Sequence, residues 1–206
     1  MNSWIDVQLR GRGITDERVL DAMARVPREV FVPPEARSLA YDDAALRLPY
    51  GQTISQPFVV AALLQALALE GGERVLDVGT GSGYQAALLR ALATAVVSVE
   101  RIAALAAQAR VNLARAGVND VEVLVGDGSL GVPGRAPFDA IAVAAAAPSV
   151  PDALVEQLAP GGRMVLPVRD RLVLVSASGV RPLLPVRFVP LVTGFPPAGG
   201  GEEGRG

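Results

Sequence analysis

The stretch VLDVGTGSGY, Val75 to Tyr84, decides the fold. A mostly apolar run enters three alternating glycines, and an alanine- and leucine-rich segment starts at once behind them. That order reads as strand, tight turn, helix. Gly79, Gly81 and Gly83 let the main chain turn sharply and approach a ligand closely, with the helix N-terminal amides nearby. The spacing is GxGxG; in the GxGxxG of dinucleotide binders the third glycine would stand where this chain has Tyr84. A nucleoside cofactor that donates a methyl group therefore fits better than a nicotinamide.

Working outward, the same rhythm repeats. Strands are expected at 74–78, 95–99, 121–125, 140–144 and 164–168, and helices at 84–92, 102–116 and 153–158. Residues 172–176 and 185–191 are read as an antiparallel pair. Upstream, a helix is expected over 15–25 with Thr15 as its N-cap, a short one over 34–39, a loop over 42–57 and a helix over 58–69. The alternation implies an α/β fold, a mostly parallel central sheet with helices on both faces. One domain is expected over 1–193, its first 57 residues a helical lid on an α/β core over 58–193. The glycine-rich 194–206 reads as a disordered tail.

Two acidic residues complete the candidate site. Glu100 lies 21 residues after Gly79 at the end of the next strand, where a carboxylate can accept from both hydroxyls of a ribose. Asp127 and Gly128 follow the third strand and are placed to meet an adenine ring. Each also has a plainer reading. Glu100 could be a solvated strand-end carboxylate and Asp127 a turn residue. A further polar residue, Ser55, stands just before the apolar helix and could be only its cap.

Composition removes whole classes of chemistry. The 206 residues contain no cysteine and no histidine, which excludes disulfides, thiolate catalysis, a Ser-His-Asp triad and histidine-ligated zinc. No acidic loop suggests another metal site. With 19 basic and 21 acidic side chains and a net charge of −2, there is no broad basic surface for nucleic acid and no polybasic membrane patch. No apolar run has the length of a membrane span, and the N-terminus lacks a signal-peptide pattern, so a cytoplasmic monomer is expected.

Beyond the glycine loop, further segments carry a more specific pattern: VPREVFVP (26–33), LAYDD (39–43), YGQTISQP (50–57), APFDAI (136–141), QLAPGGRMVLPV (157–168) and RFVPL (187–191). In order and spacing these resemble the protein-L-isoaspartate O-methyltransferase family, from about residue 14 to 192. The resemblance implies a Rossmann-like S-adenosylmethionine-dependent methyltransferase fold and S-adenosyl-L-methionine as cofactor. It implies Ser55 in the active site, Thr53, Ile54 and Ser55 at the reactive end of the cofactor, and Gly79, Gly81, Glu100, Asp127 and Gly128 binding the rest. The implied substrate is the free α-carboxylate of L-isoaspartyl residues in damaged proteins and peptides. Two departures stand out: Ala144 occupies a position where the family usually has threonine, and the segment between Val168 and Pro185 is short. The alternatives are methylation of ordinary aspartate in a dedicated peptide, and a cofactor-binding module without catalysis. A carboxylate of ordinary pKa is already ionised at neutral pH, so the implied reaction needs no histidine base.

Overall fold

The computed structural model describes residues 4–194. All but the first residue of the expected tail lies outside them.

The strand and helix bounds around the glycine loop follow the expectation closely. In chain order the regular elements are α1 (Glu17–Arg25), β1 (Leu46–Arg47), β2 (Thr53–Ile54), α2 (Pro57–Leu67), β3 (Arg74–Val78), α3 (Tyr84–Leu92), β4 (Ala95–Glu100), α4 (Ala103–Arg115), β5 (Val121–Val125), β6 (Phe138–Val143), α5 (Asp152–Val155), β7 (Leu158–Val168), β8 (Arg171–Ser176) and β9 (Gly179–Pro185). Short 3-10 turns join several of them, including Arg28–Val30 and Pro34–Leu39.

Seven strands form one sheet in the order β5-β4-β3-β6-β7-β8-β9. The first five run parallel, and β8 and β9 add antiparallel hairpins at one edge. Chain direction across the sheet reverses between β3 and β6, the switch point at which open α/β sheets leave a crevice beyond the carboxyl ends of their strands.

Period-two burial follows from the pleat. Val75, Val96, Ala140, Ala142 and Val165 face one apolar cluster, while Leu76, Val97, Val99, Ile141, Val143, Met164 and Leu166 face another. The first cluster is covered by α1 to α4, and the second by the single turn of α5 with Val132 and Val150. Both faces of the strands are buried, which is why their sequences read as continuous apolar runs. Ile5, Leu9, Leu20 and Phe31 belong to the first cluster, so much of the N-terminal region is built into the core. Fully burying leucines such as Leu63, Leu64 and Leu67 contributes about 1.5–3 kcal/mol each.

Several expectations are corrected. The N-cap of α1 is Asp16, whose carboxylate accepts from the amides of Arg18 and Val19 at 2.9 and 3.4 Å. The Thr15 amide is instead taken by Gln65 Oε1. The 42–57 loop contains the two-stranded β1–β2 hairpin. The helix expected over 153–158 stops at Val155, because Leu158 already pairs with Phe138 and opens a longer, bulged β7. Most consequentially, β8 pairs with Gly179–Pro185 and not with 185–191. Proline does not decide this, since β9 itself carries Pro182 and Pro185; the main chain of 185–191 is bonded elsewhere. The chain after β9 leaves the sheet edge and runs back beside Ala146, exchanging main-chain bonds of 2.8 Å through Val189 and Leu191. The short segment between Val168 and Pro185 is thereby two tight hairpins.

Candidate functional site

The glycine loop is stitched to the end of β4: the amides of Gly79 and Thr80 both donate to the Val99 carbonyl, at 2.9 and 3.3 Å. Gly79, Gly81 and Gly83 have φ of 93°, 53° and 92°, a region costly for side-chain-bearing residues. Gly83 has a second constraint. A Cβ there would stand 3.3 Å from both the Ala109 carbonyl and Leu113, so its absence lets α4 pack against the start of α3.

Behind the loop lies a buried polar chain. Asp77 Oδ1 accepts from Gln85 Nε2 at 2.8 Å and Oδ2 from Ser98 Oγ at 2.7 Å, and Ser98 Oγ is 2.5 Å from Thr80 Oγ1. Burial pushes the Asp77 carboxyl up to about 6; the bonds from Ser98 and Gln85 oppose that rise, and the charge of Glu100 adds to it. The network ties two strands, a helix and the loop together beneath the crevice.

The crevice is lined by Thr53, Ile54, Ser55, Gly79, Gly81, Glu100 and Gly128, all singled out from sequence, and by Val78, Val99, Arg101, Ala144 and Val189 to Val192. Glu100 is 6% exposed. Its Oε2 accepts from the Gly81 amide at 2.9 Å and its Oε1 from the Ile102 amide at 3.0 Å. It is therefore a fixed carboxylate, and each oxygen keeps a lone pair for a further donor. The plainer reading of Glu100 as a solvated strand end does not fit this geometry.

Asp127 stands differently. It does not line the crevice; Oδ1 caps the following turn by accepting from the Ser129 amide and hydroxyl at 2.9 and 2.6 Å, and Oδ2 accepts from the Gly194 amide at 2.5 Å. Partial burial works against its charge, but these donors and nearby Arg101 outweigh it and hold the carboxyl below the usual range. Its turn role is real, and Gly128 beside it reaches the crevice wall.

Ser55 is not the cap of α2. The N-cap is Gln56, Pro57 occupies the first turn, and no side chain caps that helix. Ser55 lies where two clefts join. The second cleft shares Thr53, Ser55 and Val189 with the first, and continues past Gln56, Val59, Asp170, Arg187 and Phe188. The arrangement suits a reaction in which a cofactor fills one cleft and a second reactant enters by the other.

Sequence reasoning misses Arg101 and the wall formed by Val189 to Val192. The wall carries the RFVPL pattern, but its apolar residues read as a strand. Arg101 has no distinguishing signal.

Comparison with known proteins identifies the family. The profile of the family described as Protein-L-isoaspartate(D-aspartate) O-methyltransferase matches residues 2–195. A protein-L-isoaspartate O-methyltransferase of Anaeromyxobacter dehalogenans strain 2CP-C is 56% identical over 197 residues, covering 90% of this chain and 94% of that protein. One from Methanoculleus marisnigri is 51% identical over 199 residues, covering 93% and 90%. Among solved structures, a Plasmodium falciparum protein-L-isoaspartate O-methyltransferase in complex with S-adenosyl-L-homocysteine superposes with a TM-score of 0.79 at 25% identity, covering 92% of this chain and 97% of that one. With the profile spanning every described residue and relatives more than half identical over nine-tenths of its length, the chain belongs to the protein-L-isoaspartate(D-aspartate) O-methyltransferase family.

Proposed function

We propose that this chain transfers a methyl group from S-adenosylmethionine to the free α-carboxylate of L-isoaspartyl residues in proteins and peptides. The observation that carries the reading is the meeting of the two clefts at Thr53 and Ser55, within the family's most specific segment.

The crevice fits the cofactor. Glu100 offers acceptors for ribose hydroxyls, and Val78 and Val99 give apolar walls. At Gly79 a Cβ would meet nothing nearer than 3.6 Å, so the loop leaves room for close approach. Gly128 borders the end assigned to adenine, with Asp127 beside it. Bound there, the cofactor supplies a methyl group on a sulfonium, already activated toward a carboxylate oxygen. The chain's own task is then alignment and exclusion of water. Ser55 Oγ makes no hydrogen bond to the other described residues, so it is free to orient an incoming carboxylate. No side chain has to remove a proton, which accords with a protein that has no histidine. In the resulting ester the following main-chain amide nitrogen displaces methanol, closing a succinimide without further help from the protein.

The β1–β2 hairpin is the part of the N-terminal region that serves as lid: Leu48 reaches the glycine loop, and Gln52 to Ser55 wall the crevice. No described helix is long and apolar enough to cross a membrane. A cytoplasmic monomer acting on damaged proteins completes the reading.

The direct test follows the product. An isoaspartyl peptide incubated with the protein and S-adenosylmethionine should pass through a base-labile methyl ester to a succinimide and then partly to normal aspartate, seen by chromatography and mass spectrometry. Cofactor binding without any ester on such peptides would overturn the reading.

A further inference from the structure

Arg28 is fully buried, 0% exposed, and no ion pair among the described residues includes it. A buried cation without an acid partner is costly, so its surroundings must hold it for a reason. The nearby carboxylate of Glu29 is engaged by the Tyr41 hydroxyl, and buried Asp77 is engaged by Gln85 and Ser98. What Arg28 has instead are two main-chain carbonyls and a ring. Its Nε donates to the Ala40 carbonyl at 2.7 Å, its Nη2 donates to the Ser55 carbonyl at 2.8 Å, and its guanidinium carbon stands 4.8 Å from the centroid of Tyr84. Nη1 has no partner among the described residues.

The two carbonyls bracket one excursion of the chain. Ala40 precedes the β1–β2 hairpin and Ser55 follows it, so one planar fork clamps both ends of the segment that walls the crevice. A guanidinium can span two acceptors in fixed directions; an ammonium on a flexible stem cannot hold both in the same way. Fixing the Ser55 carbonyl fixes the main chain of a residue that lines both clefts at their junction. The same fork leaves an unneutralised positive charge on the buried side of that junction, where the reading above brings an anionic carboxylate.

We propose that Arg28 is a positioning residue for the transfer: it clamps Ala40 and Ser55 so that the Ser55 hydroxyl meets the substrate carboxylate in reacting alignment, and its charge favours that carboxylate's arrival. The inference rests on the function proposed above.

Two variants of the full chain separate geometry from charge. R28K keeps the charge and loses the fork, while R28M loses both. Rates are expressed per molecule that binds S-adenosylhomocysteine, titrated by calorimetry, so partial unfolding does not count as lost activity. R28K is expected to bind S-adenosylhomocysteine within threefold of wild type, with kcat for an isoaspartyl peptide reduced at least tenfold and KM changed less than threefold. R28M is expected to lose kcat similarly and to raise the peptide KM at least fivefold further. A purely structural arginine would lower thermal stability and leave kcat and KM per binding-competent molecule within twofold of wild type. That result in R28K overturns the inference, and R28K alone decides if R28M does not fold. A wild-type chain that methylates no isoaspartyl peptide overturns the functional reading and this inference with it. An active wild type matched by R28K strikes the Arg28 role alone.

Discussion

The Gly194 amide donates to Asp127 Oδ2 at 2.5 Å, closing the chain that follows β9 onto the turn that follows β5. Arg101 supports the same closure through the Gly194 carbonyl at 3.3 Å. Asp127 thus anchors the wall of the crevice, and if it also meets the adenine end of a cofactor, as the family resemblance implies, cofactor affinity and wall order are expected to change together. In Asp127→Ala, S-adenosylmethionine affinity is expected to fall about tenfold, the loss of one or two hydrogen bonds of about 1 kcal/mol each. Hydrogen exchange at 192–194 should accelerate in the same variant. Unchanged affinity with faster exchange would assign Asp127 to the turn alone.

Glu100 presents a sharper case, because both of its oxygens accept main-chain N–H groups. Glu100→Gln turns one acceptor into a donor facing a donor. Cofactor binding is expected to weaken ten- to a hundredfold, and the fold to lose about 1–2 kcal/mol, since one buried amide loses its acceptor. Calorimetry and denaturant unfolding measure the two effects. A variant that binds as tightly as wild type contradicts the ribose assignment.

Asp77 makes stability depend on pH. Its carboxyl titrates near 6 in the folded protein and near 3.9 in an unfolded chain. Between those values the folded state holds a proton that the unfolded state has lost, so stability falls as pH rises through the window. The charge penalty is absent below about pH 4 and complete above about pH 6. Asp77→Asn cannot ionise, so its stability relative to wild type should rise by about 1–3 kcal/mol from pH 4 to pH 7. Urea unfolding of both proteins across that range measures the difference. A flat difference would remove Asp77 from the account.

Ser55→Ala should separate chemistry from folding. The Ser55 side chain makes no hydrogen bond to other described residues, and its carbonyl keeps the bond to Arg28. Thermal stability and cofactor affinity are therefore expected to stay near wild type, while kcat/KM for an isoaspartyl peptide falls about a hundredfold, the scale of one lost orienting contact. Full activity in Ser55→Ala would show that the hydroxyl does not align the substrate.

How much of this was legible follows from which physical signals are local. The β3–loop–α3 unit could be read residue by residue, because strand burial, positive φ and helix composition all act within ten residues. The acidic residue at the end of β4 was legible for the same reason. The N-cap at Asp16 was missed by one residue because Thr15 and Asp16 are both good caps, and only the bonds of the Asp16 carboxylate to the Arg18 and Val19 amides identify the cap. The partner of β8 was misplaced because 179–185 and 185–191 have similar apolar content, and main-chain bonds with Ala146 draw the second away. Arg28 was illegible on principle, since composition argues for arginine outside, and only the tertiary placement of two carbonyls accounts for it.

The central claim is selectivity for an isomerised carboxylate. It is tested most directly by methyl transfer from labelled S-adenosylmethionine to two peptides that differ only in L-isoaspartate against L-aspartate. The account predicts strong labelling of the isoaspartyl peptide and background labelling of its partner. Equal labelling of both, or labelling of the aspartyl peptide alone, would contradict it.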